Sequence, residues 1–215
     1  IGLSFILPMV IGAFYGRPFG GILWGGFLRV TLVHHFTFFI NSLCHFAGKR
    51  PFEPETTARD AWWVAFLTFG EGFHNFHHKF QWDYRNGIRW YNFDPSKWII
   101  KILSIFNITY DLKKASEYNI IKARLDTINQ KIHELSSKMT LPLTYKKKID
   151  FNLRKSLNEL ELWKALENNY ISFKKNKLTK YDKLAFNHKR KIHRLELQKS
   201  ISSLMVILVN LKNYT

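Results

Sequence analysis

The sequence predicts an all-α protein in two parts. Residues 1–117 read as transmembrane helices with a cytosolic histidine-box helix, and residues 118–215 as a soluble helical extension, coiled-coil or bundle-like. Three observations predict this. Residues 1–16 carry no charge, and residues 30–48 carry none apart from three histidines. Six of the nine histidines fall between positions 34 and 78, inside or beside apolar sequence. Residues 1–117 hold 12 basic and 8 acidic side chains, whereas 118–215 hold 21 and 8, so most of the net charge of +17 sits in the second part.

The length of 215 residues allows one large domain or two small ones. An aromatic content of 16% excludes a disordered chain. The lone Cys44 excludes an intramolecular disulfide framework and reads as a small packing residue. The first residue is Ile1, with no basic n-region or cleavage signal behind it. The start therefore reads as a segment of something longer or as a processed chain.

The apolar part opens with residues 1–16, too short to cross a bilayer core and consistent with a helix truncated at its N-terminus. Arg17 and Pro18 interrupt it, and residues 19–28 follow with Gly20, Gly21, Gly25 and Gly26, small residues that permit close helix contact. The stretch 30–48 has the length of a membrane span, for which about 20 residues suffice. Lys49, Arg50 and Arg59 follow it, which places its C-terminal end on the cytoplasmic side. Residues 59–80 and 98–106 are shorter apolar blocks suited to the membrane face, and Trp62, Trp63, Trp82, Trp90 and Trp98 suit an interfacial belt.

The histidines carry the chemistry, because ionisable groups in apolar membrane sequence are costly. In His74-Asn75-Phe76-His77-His78, a helix puts 74 and 78 on one face at i, i+4, with 77 flanking. Converging neutral imidazoles suit iron, zinc, copper or nickel. Adjacent His77 and His78 point about 100° apart on a helix and are able to serve two different ions. Asn41 and His45 lie one helical turn apart, facing the same way toward such a site. His34 and His35, earlier on the same segment, read as packing or tunnel residues. No nucleophile triad and no Gly-rich phosphate loop is present, so no catalytic residue is expected beyond metal ligands.

Asn41-Ser42-Leu43-Cys44-His45, Gly48-Lys49-Arg50-Pro51-Phe52, Gly70-Glu71-Gly72-Phe73-His74-Asn75-Phe76-His77-His78, Asp83-Tyr84 and Trp90-Tyr91-Asn92-Phe93 together resemble the C-terminal part of the acyl-CoA Δ9 (stearoyl-CoA) desaturase-like enzymes of the membrane fatty acid desaturase family. The likeness runs from about residue 20 to Ser116. It implies a non-haem diiron centre and the removal of two hydrogens from an acyl chain with O2 and two electrons. By this resemblance His45, His74, His77 and His78 are iron ligands, Asn41 contacts one iron through a water, and Thr37 lines the bend of the substrate tunnel. The implied partners are an acyl-CoA substrate, O2, membrane lipid and an electron donor of the cytochrome b5 or ferredoxin type. The family's earlier H-x4-H and H-x2-H-H boxes are missing from these 215 residues. The segment is therefore expected to be inactive alone and to need a missing N-terminal half. The alternatives are another histidine-box membrane enzyme, an acyl-lipid desaturase or alkane hydroxylase, or a non-catalytic membrane-anchored interaction protein.

In the tail, Ile121, Leu125, Ile128, Ile132, Leu135 and Met139 alternate in steps of four and three, a heptad-like stripe. Pro142 breaks it. A second helix is expected from an N-cap at Asp150, with Leu153, Leu157, Leu160 and Trp163 on one side. A third is expected from Tyr181 to Leu211, with Ile192, Leu195, Ile201, Leu204, Leu208 and Leu211 inward. His133, His188 and His193 read as polar-face residues rather than ligands. The basic charge reads as a solvated helical face, then as a surface apposed to lipid; nucleic acid is not expected as a partner.

Overall fold

The computed structural model describes residues 2–138, 141–174 and 180–213, and their regular structure is helical, with two isolated β-bridges and no strand. The chain forms two compact units, one of residues 1–50 and 55–114 and one of residues 51–54 and 115–215.

In the first unit, α1 (Gly2–Phe14) carries Pro8 in its interior. The chain reverses at Arg17, whose N–H donates to Gly12 O. It returns through α2 (Pro18–Gly20), a π-helical stretch (Gly21–Leu28) and α3 (Arg29–Asn41). Gly20, Leu28 and Arg29 stay right-handed helical, so Pro18 to Asn41 is one continuous helical rod. A Cβ on Gly21 would stand 2.1 Å from Pro8 O, so the two arms approach as closely as only glycine allows. Apolar side chains of this hairpin, including Leu3, Phe14, Phe19, Trp24 and Phe38, point outward.

Among the described residues no helix is long and apolar enough to cross a membrane. The expected single span over 30–48 is interrupted. α3 ends at Asn41, Ser42 is right-handed but distorted (φ −109°, ψ −70°), α4 spans only Leu43–Phe46, and Ala47 is extended. Thr37 Oγ1 donates to Val33 O at 2.9 Å and Ser42 Oγ to Phe38 O at 2.8 Å. Hydroxyls that bond back to the i−4 carbonyl bend and weaken a helix.

Two short helices follow, α5 (Val64–Leu67) and α6 (His74–Lys79), then α7 (Pro95–Ile105). Asp94 caps α7 by accepting Lys97 N at 3.0 Å, with Pro95 at the first helical position. The other carboxylate oxygen of Asp94 accepts the N–H groups of Asn86 and Gly87, and buried Lys97 donates to the carbonyls of Gly87 and Arg89. This locks the 86–97 loop. All five tryptophans of the expected belt are exposed.

The second unit is a three-helix bundle of α8 (Glu117–Ser137), α9 (Leu143–Lys174) and α10 (Lys180–Asn213). Ser116 caps α8 by accepting Asn119 N at 3.1 Å. α9 and α10 run antiparallel: Lys155 meets Glu196 at 3.3 Å, His193 meets Glu159 at 2.8 Å and Arg190 meets Glu167 at 3.8 Å. Tyr118 OH, at the start of α8, donates to Glu161 of α9 at 3.0 Å. Leu125, Ile128 and Ile132 of the α8 stripe are buried with Leu160, Trp163, Leu197, Leu204, Leu208 and Leu211. Met139 lies outside the described residues. Three expectations are corrected. α9 starts at Leu143, directly after Pro142, rather than at an Asp150 N-cap. Leu157, Ile192 and Leu195 are 41–46% exposed, because each helix touches only two neighbours. Leu197 and Ile207, off the expected stripe, are buried in their place.

Candidate metal centre

Three histidines from two elements meet in the first unit. His45 comes from α4, and His74 and His78 from successive turns of α6. His74 Nε2 lies 3.1 Å from His45 Nε2 and 3.2 Å from His78 Nε2. One ligand atom from each of the three falls within 4.8 Å of the others. Two nitrogens each about 2.1 Å from one ion, in tetrahedral or octahedral geometry, are roughly 3.0–3.4 Å apart. The two Nε2 separations from His74 match that spacing, so the residues fit a single imidazole-bound ion.

Electrostatics favours the neutral, ligating form of the central residue. Burial, followed by the neighbouring His78, His45 and His77, lowers His74 from its ordinary 6.5 to about 4. Its Nδ1 is buried without a hydrogen-bond partner, so packing holds that ring. His45 is held instead by a bond from behind, Nδ1 to Thr57 Oγ1 at 2.8 Å.

His77 stands apart from the three. Its ring stacks on that of His74 at 6.2 Å and is nearly perpendicular to that of His78, an orientation that follows from adjacent positions on a helix. Asn41 is exposed at the last residue of α3, and the break at Ser42 separates it from His45. Thr37 is exposed on α3 with its hydroxyl satisfied by Val33 O. His34 and His35 are exposed on the same helix.

Residues outside the motifs hold this geometry. Asp60 Oδ1 accepts the N–H groups of Asn75 at 2.8 Å and Phe76 at 3.0 Å, so it caps the six-residue α6 from a distant loop. The Asp60 backbone pairs with Lys49 in both directions, and buried Asn75 donates to Ala58 O at 3.0 Å. Arg59 N donates to Cys44 O at 2.7 Å, tying the same loop to α4. A Cβ on Gly72 would lie 2.3 Å from Ala65 N, so only glycine lets the chain pass over α5 before His74. Sequence reasoning missed Thr57 and Asp60, because neither sits at a ligand spacing or on a periodic face. Replacing Asp60 with alanine is expected to cost about 1–2 kcal/mol, from lost capping and two stranded donors. Chemical denaturation checks it.

Residues 1–103 match the fatty acid desaturase family. The first 103 residues are a segment of this family. The chain is 42% identical over 161 residues to acyl-CoA desaturase 1 of Saccharomyces cerevisiae, covering 74% of this chain and 29% of that protein. It is 43% identical over 121 residues to a probable acyl-CoA desaturase of Schizosaccharomyces pombe, covering 56% of this chain and 25% of that protein. An sn-1 stearoyl-lipid 9-desaturase of Synechocystis is 41% identical over 111 residues, 52% of this chain and 34% of that protein. The chain thus spans about a quarter to a third of the length of these desaturases. The Saccharomyces match is too long to fit within residues 1–117, so the likeness extends into the helical extension, beyond the Ser116 limit that the motifs suggested.

Proposed function

We propose that the chain supplies part of the diiron centre and substrate tunnel of a membrane acyl-CoA Δ9 desaturase, which introduces a cis double bond into a saturated fatty acyl chain with O2 and two electrons. The convergence of three imidazole Nε2 atoms, in a segment of this family, carries the reading. Bound iron supplies the O2 activation that breaking an unactivated C–H bond requires. His45, His74 and His78 hold one ion, and His77, turned to the other side, serves the second. Asn41 reaches iron through a water. Thr37, whose hydroxyl is satisfied within α3, presents no free donor to an apolar chain passing it. A bent apolar tunnel fixes one carbon pair beside the metals, which is what regioselectivity needs.

The apolar surface of α1 and the Pro18–Asn41 rod lies in the bilayer, with the histidines and the basic extension on the cytoplasmic side. Electrons come from a donor of the cytochrome b5 or ferredoxin type. The two further histidine boxes belong to polypeptide outside these 215 residues, and the chain alone does not desaturate. The test is fatty-acid analysis of a host lacking its own Δ9 desaturase, expressing the complete gene. The expected result is Δ9-monounsaturated product from the wild type and none from His78→Ala. Equal product from both, or none from the wild type, contradicts the reading. Microsomes offered acyl-CoA or intact lipid separate the two substrate classes.

A further inference from the structure

A neutral imidazole carries one proton on two nitrogens, and a metal ligand must keep the lone pair on the nitrogen that faces the ion. Which nitrogen is protonated is set by the hydrogen bond on the other side of the ring. For His45 the partner on that side is Thr57. Nε2 faces His74 Nε2 at 3.1 Å, and Nδ1 faces Thr57 Oγ1 at 2.8 Å. We propose that Thr57 is a positioning residue of the metal centre: its hydroxyl oxygen accepts the Nδ1–H of His45, fixes that tautomer and aims the Nε2 lone pair at the point shared with His74 and His78. The inference rests on the reading of these three histidines as ligands.

Thr57 itself is an exposed side chain, but its backbone is anchored on both sides of the site. Ala58 O accepts from the Asn75 side chain on α6, Arg59 N donates to Cys44 O next to His45, and Asp60 caps α6. The four residues 57–60 therefore form a strap that touches both ligand-bearing helices. The hydroxyl arrives at His45 from a segment whose distance to α6 is already fixed. Exposure also solves the remaining proton: with Oγ1 accepting from Nδ1, the Thr57 hydroxyl hydrogen is free to turn to water. His74 offers the contrast, with a buried Nδ1 that finds no partner. Outer-shell partners of this kind orient ligands and raise their basicity.

The test uses the full 215-residue chain in detergent with Co2+ as the probe, comparing wild type, Thr57→Val, Thr57→Ser and His45→Ala. Valine keeps the shape and removes the acceptor. Thr57→Val is expected to weaken Co2+ binding by about 10–100-fold and to shift the visible Co2+ absorption, while Thr57→Ser restores both. In the metal-free chain, 15N shifts of the His45 ring are expected to show Nδ1 protonated in wild type and Thr57→Ser, and a mixture in Thr57→Val. Wild-type Co2+ affinity and an unchanged His45 tautomer in Thr57→Val, in a series where His45→Ala loses the metal, overturn the role of Thr57. A series in which His45→Ala binds Co2+ like the wild type overturns the ligand reading beneath it instead.

Discussion

Replacing His74 with alanine is expected to lower the metal affinity of the three-histidine site by more than the roughly 10–100-fold that loss of an outer-shell partner costs. His74 is the member that contacts both of the others, at 3.1 and 3.2 Å, so its loss leaves two imidazoles without the central ligand. His77→Ala, in the same 215-residue chain, is expected to leave this affinity unchanged, because His77 stacks outside the convergence. Calorimetric titration with Co2+ checks both. A second effect has a defined sign. Burial, with help from His78, His45 and His77, lowers His74 from 6.5 to about 4. As pH falls, the unfolded chain takes up this proton near 6.5 and the folded chain only near 4. The metal-free protein therefore loses stability across that window, and this residue contributes no pH dependence above it. Denaturation of His74→Ala at pH 7, 5.5 and 4 is expected to show a flatter profile than the wild type.

Trp163→Ala is expected to cost about 3–5 kcal/mol, the range for truncating a fully buried large aromatic. Trp163 is 0% exposed and packs in the core that joins α8, α9 and α10. Its indole Nε1 is buried with no hydrogen-bond partner, so it contributes volume rather than a polar contact. Trp163→Phe, which keeps most of the ring and removes the stranded donor, is expected to cost much less. Thermal unfolding followed by circular dichroism separates the two variants. Equal stability of Trp163→Ala and wild type contradicts a packed bundle.

The parts of the fold that were legible in sequence are those in which one local period decides the outcome. Leu125, Ile128 and Ile132 are buried as their spacing requires, and His74 and His78 meet because i and i+4 share a face. Where tertiary context decides, the pattern misled. The uncharged stretch 30–48 has the composition of one span, but hydropathy does not register Ser42 bonding back to Phe38 O, and the helix breaks there. Asp150 has the side chain of an N-cap, yet α9 begins seven residues earlier, at Leu143 behind Pro142. His45 is read toward this site from its place one turn after Asn41 near the end of the apolar stretch, and then from resemblance, since it has no ligand spacing to α6 of its own. The Thr57–Asp60 strap has no local signature at all, because its meaning lies in two helices that the folded chain brings to it.

The most direct measurement is X-ray absorption at the iron edge of the 215-residue chain loaded anaerobically with Fe2+, beside its His45→Ala, His74→Ala, His78→Ala triple variant. Nitrogen scatterers at about 2.0–2.2 Å, with the outer-shell pattern of three imidazoles, are predicted for the wild type. The triple variant is predicted to retain no stoichiometric iron. A wild-type spectrum without imidazole scattering, or equal iron retention by the triple variant, would contradict a metal centre built from His45, His74 and His78.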